Sequence, residues 1–535
     1  MLSFPHIAVI NTYDKIPKQI KVTFLSCFII GILTHIFMLT NKLPNHDDIL
    51  WFADNSSSWT KWCFSLGRWF VFVPFTFSGI FSLPWVNGLL YILYISVAAC
   101  FVVSLLKIHN HLYCMIIAGL MVTFPAVTSS MTFMWMADVF GFSLVFACLA
   151  AFIAEKYKYG FIFAVIPLIL SLAVYQAYFG ATAGLLILIL IIEVLKNEVT
   201  WQKTLFKGIR FTGTLSISLI IYIALTKLFM HISETEPTDY QGIDKMGKIV
   251  LSEIPTQIFN AYGNIIQFLL PYSPFETFLA VAFVFCFLFC IVLVSIRCIQ
   301  QKIHQNPLKL SLLIVLLLLF PFGCNAVHFF GSDLVHSVMQ YGMVFLLVFL
   351  IVIIDLITSN YESKEKYVAL LALLSSWIVS LFMIILVFNY WIFANKAYLK
   401  MHMGYEQTYA LSNTLVTRIQ STEGYTSHSE IVFVSWPSVN GGTPALDGSV
   451  SLFGVDGVSF SFGMFSFRYG RYEKYLMKYL NFTNKITYIR ELKDLIEFRE
   501  SKEFIEMPHY PDSGSIVMAS DGKIYVNFLF RGKYF

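Results

Sequence analysis

The chain has 535 residues, of which 57% are hydrophobic and only 13% charged, and its mean hydropathy is +0.71. A soluble protein carries roughly 25% charged residues, so the composition excludes a water-soluble enzyme and puts most of the chain in lipid. The net charge of +4 is small and is accounted for by inner loops, which leaves no signal for nucleic acid.

The N-terminus is polar, with Asp14, Lys15, Lys18 and Lys21, and leads into an apolar run long enough to span. It reads as a signal anchor rather than a cleaved leader. Stretches of about 17–25 apolar residues match a bilayer. They occur at 22–40, 86–106, 112–130, 138–154, 160–176, 179–195, 211–231, 275–296, 309–327, 337–357 and 367–391. Segments 69–82 and 254–271 are broken by Pro and polar residues and read as interfacial or re-entrant pieces. Cys286 and Cys290 have helical i, i+4 spacing but no further ligands beside them, which points to packing rather than metal.

With the N-terminus inside, the inner loops from Lys15 to Lys366 hold fifteen Lys and Arg. The outer side before residue 393 has six: Lys42, Lys61, Arg68, Lys227, Lys245 and Lys248. The positive-inside bias sets this orientation, and an odd number of spans places the C-terminus outside. From about 393 the composition changes. Helix-like patches at 405–420 and 472–480 alternate with strand-like runs at 431–436, 450–453, 458–462 and 516–518. Asp521-Gly522 before 524–528 is a hairpin signal. The expected fold class is therefore mainly α: a polytopic α-helical membrane protein of about 11 spans (1–392) with a small extracytoplasmic C-terminal α/β domain (393–535). No internal repeat is visible, which argues against an inverted-repeat transporter.

The chemically mixed residues fall on the outer side. Asn45-His46-Asp47-Asp48 follows the first span, and carboxylates at a membrane boundary are costly unless they have a task. The same outer loop holds Trp51, Arg68 and Trp69; later outer loops hold Asp138, Tyr175 and Gln176, Lys248, His328 and His336. Transfer of a sugar from a phosphate carrier needs a base for the acceptor hydroxyl, cations for the leaving phosphate, and aromatic or amide groups for the sugar. Asp47 or Asp48 suits the base. Arg68, with His328, His336 or Lys248, suits the phosphate, and Trp51, Asp138, Tyr175 and Gln176 suit the sugar. An acidic pair also suits a divalent cation (Mg or Mn) that bridges to phosphate oxygens. Each has a plainer role open to it: Asp47-Asp48 as a helix cap, Arg68-Trp69 as an interfacial anchor, Tyr175 in an aromatic belt, Asp138 as a cap.

Three motifs, Asn45-His46-Asp47-Asp48, Ser65-Leu66-Gly67-Arg68-Trp69 and Val174-Tyr175-Gln176-Ala177-Tyr178, together resemble the bacterial Gtr-type glucosyltransferases of serotype conversion, which modify O-antigen and other surface polysaccharides. The resemblance covers roughly 20–390 and does not extend to the C-terminal part. It implies a GT-C-type membrane enzyme of the bacterial inner (cytoplasmic) membrane, with the catalytic acid in its first outer loop. It also implies a polyprenyl-phosphate-linked sugar donor, typically glucose, and a cell-surface glycan acceptor. Carried over, Asp47 and Asp48 match the acidic pair, Arg68 the Gly-Arg-Trp position, and Tyr175 and Gln176 the outer end of a span. Two other readings compete. A polysaccharide polymerase or ligase calls for a strongly basic outer loop, whereas 232–274 is net acidic with only Lys245 and Lys248. A lipid-linked-sugar transporter or flippase calls for charges at mid-span, and most spans have uncharged centres.

Overall fold

All eleven apolar segments fold as helix in the computed structural model, which describes residues 13–51, 57–79, 81–240, 252, 254–269, 274–330, 335–359, 366–434, 471–489 and 491–528. Lys248 and the strand-like runs at 450–453 and 458–462 lie outside the described residues. The chain divides into two compact units. One comprises residues 1–42, 53–397 and 451–456, the other 43–52, 398–450 and 457–535.

In the first unit, nine helices among the described residues are long and apolar enough to cross a membrane, from Lys18–Thr40 to the helix that starts at Lys366. Helices are what a lipid environment demands, because each satisfies its own backbone hydrogen bonds. The expected span at 112–130 is two helices, His111–Thr123 and Pro125–Met131, bent by 43°. Pro125 has no N–H to continue the first helix, and it holds Phe124 in an extended conformation (ψ 139°). The span expected at 160–176 is the shorter apolar helix pair Gly160–Val174. Segments 69–82 and 254–271 contain the helices Phe72–Ser78 and Ile254–Leu269.

Small residues let helices in this unit approach closely. A Cβ built on Gly180 would lie 2.8 Å from the Cys324 carbonyl oxygen, and one on Gly184 2.6 Å from the Cys324 sulfur. These contacts seat the helix Phe179–Lys196 on Pro307–Cys324. That packing fixes the chain breaks at 175–178 and 325–330, where irregular backbone is tolerated only because protein surrounds it.

In the second unit, a four-stranded sheet has the order β2-β1-β4-β3, with β1 Ile431–Val434, β2 Ile486–Ile489, β3 Ile516–Met518 and β4 Ile524–Asn527. β1 runs parallel to both β2 and β4, and β3 pairs antiparallel with β4 through the turn that contains Gly522 (φ +78°). Every residue of β1 is buried, as a parallel strand covered on both faces requires. Ile431 and Phe433 join Leu415, Ile419, Tyr472 and Leu476 in one core, while Val434 joins Leu495 and Phe498 in another. The strand Ile486–Ile489 and the helix Leu492–Glu500 are additions to the sequence reading. Each is short and mixed in polarity, so no clear periodicity marks it.

Candidate active site

The helix Ser57–Ser65 stops at Gly67, whose φ of +72° is easy only for glycine. A Cβ there would also meet the Tyr222 hydroxyl at 2.5 Å. Just beyond, Arg68 N–H donates to the Cys63 carbonyl at 2.8 Å, and Phe70 N–H donates to Ala173 at 3.0 Å. The second bond ties this turn to the place where the helix Val165–Val174 ends. Tyr175 is extended there (φ −156°), and a 3-10 turn, Gln176–Tyr178, follows.

Two motifs separated by more than a hundred residues thus form one structure. Gln176 Nε2 donates to the Leu66 carbonyl at 2.6 Å and to Tyr222 Oη at 2.8 Å, and Tyr222 Oη donates to the Gly67 carbonyl at 3.2 Å. The Arg68 guanidinium lies 4.9 Å from the centroid of the Tyr175 ring. Its Nε is buried and has no hydrogen-bond partner among the described residues. A stacked guanidinium keeps its donors available for an anion. Gln176 itself is 6% exposed, so Gln176→Leu strands the Leu66 carbonyl in a buried place and takes from the Tyr222 hydroxyl the bond it accepts, leaving only the one it donates to Gly67. A loss of about 1–3 kcal/mol is expected, seen as a lower melting temperature in detergent. An unchanged melting temperature would show that the amide is dispensable for this turn.

Asp138 is fully buried in the first turns of the helix Met134–Lys156. Its Oδ1 accepts from Asn87 Nδ2 at 2.9 Å, and its Oδ2 is buried with no hydrogen-bond partner among the described residues. Asn87 sits in a π-helical turn, Pro84–Gly88, a local irregularity often found at functional sites. Trp135 packs against Trp59 (ring centroids 5.0 Å apart) and stacks on Phe75 (5.8 Å). Phe140, two residues beyond Asp138, reaches Tyr175 at 4.7 Å. The aromatic wall therefore joins the Asp138 and Arg68 neighbourhoods.

Across the same helix ends, Asn325 Nδ2 donates to Asn264 Oδ1 at 3.2 Å, and Gln340 Nε2 donates to the same oxygen. His328 lies just beyond in the 3-10 stretch Ala326–Phe330, with Nε2 buried and unpartnered among the described residues. Burial pushes its imidazole pKa below the usual value. It is therefore neutral near pH 7 and offers a hydrogen bond rather than a positive charge. His336 precedes the turn Ser337–Met339 and is half-buried.

Asp47 and Asp48 belong to the second unit, in the short helix His46–Trp51. Asn45 Oδ1 accepts from the N–H of Asp47 at 2.8 Å and of Asp48 at 3.0 Å, and Asp48 Oδ2 accepts from Asn45 N–H at 2.8 Å. This reciprocal arrangement is a capping box, which gives Asp48 a structural task. Asp48 is 3% exposed, whereas Asp47 is half-exposed. Ile49 enters the same core as Phe433 and Tyr472, and Lys478 Nζ donates to the Ile49 carbonyl at 3.3 Å. Burial, and then the nearby charge of Asp48, push the Tyr479 phenol well above its ordinary pKa.

The Trp51 side chain and Lys248 lie outside the described residues. Among the described residues no group of three or more His, Cys, Asp and Glu is placed to hold a metal ion. Asn87, Tyr222, Asn264, Asn325 and Gln340 are site residues that sequence reasoning missed. Their one signal is an amide or phenol within or beside an apolar run, and single sequences hold many of those.

Two findings from known proteins bear on this geometry. The family model for glucosyl transferase GtrII matches residues 36–351, more than half of the chain, and spans both the acidic pair and the Arg68–Gln176 cluster. No curated protein and no solved structure matches the chain.

Proposed function

The chain belongs to the GtrII glucosyl transferase family, and from that premise we propose that it moves glucose from a polyprenyl-phosphate carrier to a cell-surface glycan at the extracytoplasmic face of the bacterial inner membrane. The family domain and the apolar helices make it a multi-pass membrane glucosyltransferase. The donor, the acceptor and the face belong to the proposal. The observation that carries it is the Arg68 guanidinium, stacked on Tyr175 with a buried Nε that no described residue satisfies. A group of this kind suits the phosphate that leaves when the glycosidic bond is exchanged.

In the proposed mechanism a carboxylate of the acidic pair takes the proton of the acceptor hydroxyl, and that oxygen attacks the anomeric carbon. The bond to the carrier phosphate breaks as the new bond forms, and the anomeric centre inverts. Of the two carboxylates, Asp47 suits the base, because it is only half-buried whereas Asp48 is 3% exposed and its Oδ2 caps the helix. Arg68 stabilises the phosphate as charge develops on it. Gln176 acts by holding the Gly67–Arg68 turn rather than by touching sugar, while Asp138 and the Trp59–Trp135 wall suit the sugar hydroxyls and ring face. The second unit is proposed to lie outside the cell and to hold the acidic pair in place.

The test is reconstitution of the full chain in proteoliposomes with polyprenyl-phosphate glucose and the surface polysaccharide of the host. Glucose is expected to appear on the polysaccharide, and the product linkage to be opposite at the anomeric carbon to that of the donor. Transfer from a nucleotide sugar alone, with none from the lipid-linked donor, would sink the proposal. Movement of the lipid-linked sugar across the bilayer without transfer would favour a flippase instead.

A further inference from the structure

At the far end of the same helices lies a cavity of about 420 Å³, walled by the end of Met134–Lys156, the turn that follows it, and the first turns of Trp201–Ile232. Glu155 at this cavity is seventeen residues beyond Asp138 on one helix, a rise of about 25 Å. The cavity is therefore separate from the Asp138 and Arg68 neighbourhoods.

Its charge is strongly unbalanced. Five cations, Lys156, Lys158, Lys203, Lys207 and Arg210, line it against two carboxylates, Glu155 and Glu193. One lysine serves both acids: Lys207 Nζ lies 2.7 Å from Glu155 Oε2 and 2.7 Å from Glu193 Oε2. The other four cations have no ion pair among the described residues. Arg210 instead lies over two rings, 4.5 Å from the Phe206 centroid and 5.3 Å from that of Phe161. Stacking of this kind holds a guanidinium in place and leaves its N–H edge open for oxyanions.

The surroundings indicate which oxyanion. Ile162, Phe163, Phe206 and Ile209 are large apolar side chains exposed on the same helix ends, as residues facing acyl chains are. A basic cavity between span ends, edged by apolar side chains, fits a phosphate on a hydrocarbon tail.

We propose that this cavity binds the headgroup phosphate of an anionic membrane lipid, with Lys203 and Arg210 on the phosphate and the acyl chains against Phe163 and Ile209. The site is independent of the transfer chemistry. It would anchor the protein in an anionic leaflet and brace the helix that ends just before Tyr175 and Gln176 and the helix that carries Tyr222.

The experiment is native mass spectrometry of the full chain released from mixed micelles of phosphatidylglycerol and phosphatidylcholine in equal amounts. Wild type is expected to retain phosphatidylglycerol in preference to phosphatidylcholine. Lys203→Gln/Arg210→Gln is expected to weaken that preference roughly tenfold or more. Lys158, Lys203 and Arg210 are exposed, so the variants should fold, and Lys158→Gln/Lys203→Gln is expected to give an intermediate loss. Equal retention of the two lipids by wild type, or unchanged preference in both variants, would overturn the proposal. Displacement of the lipid by millimolar inorganic phosphate would overturn the lipid assignment and make a soluble phosphate the ligand.

Discussion

Asp47→Asn is expected to lower the turnover of glucosyl transfer by roughly 10²–10⁴-fold while leaving normal amounts of protein in the membrane. Asn keeps the volume and the hydrogen-bonding shape of the side chain but cannot take a proton from the acceptor. The backbone bonds that shape the segment run from the N–H groups of residues 47 and 48 to Asn45 Oδ1, so the substitution leaves them intact. Asp48 gives the contrast. Its Oδ2 accepts from the Asn45 N–H inside a capping box, and Asp48→Asn retains an amide oxygen that can accept the same bond. That variant is expected to keep most of its activity, whereas Asp48→Ala removes the acceptor and costs about 1 kcal/mol of local stability. Turnover of each variant, measured at matched membrane levels, decides the matter. Full activity in Asp47→Asn with loss in Asp48→Asn would reverse the two roles, and full activity in both would remove the acidic pair from the chemistry.

Arg68→Gln is expected to reduce kcat/KM for the lipid-linked donor by roughly 10²–10³-fold, the usual scale for losing a group that stabilises charge in the transition state. Arg68→Lys should recover only part of this. Lysine keeps the charge but has neither the planar fork nor the stacking face that sets the guanidinium over Tyr175 at 4.9 Å. The acceptor KM should stay near its wild-type value in both variants, which separates a donor-phosphate role from general damage to the membrane domain. Unchanged donor kinetics in Arg68→Gln would take this residue out of the site and return it to the role of an interfacial anchor.

Much of the architecture was legible because lipid imposes strict rules. Each apolar run had to be helical, and all eleven are. The bend at Phe124–Pro125 and the breaks near Tyr175 and Cys324 were not legible, because they depend on which helices pack together. Gly180 and Gly184 fit against Cys324 only in the folded bundle. In the C-terminal part the hairpin around Gly522 followed from its turn residues. The strand Ile486–Ile489 did not, since a four-residue run gains its identity from pairing with β1.

The site divides in the same way. Sequence alone singled out Asp47, Asp48, Arg68, Asp138, Tyr175 and Gln176, because charged or amide groups beside apolar spans stand out and motif order adds to them. It could not say that Gln176 holds the turn that presents Arg68, through bonds to Leu66 and Tyr222. It offered a helix cap as one role for the acidic pair but could not say that Asp48 is the one that fills it, or that Ile49 belongs to a core built mostly from residues beyond 414. The chain by itself determined a polytopic helical membrane protein and which residue types could carry sugar transfer, since solvation cost and periodicity are local properties. The tertiary structure alone decided which of those residues share a neighbourhood and which polar atoms are left unsatisfied. Contacts between segments a hundred or more residues apart depend on packing, and no local pattern encodes them.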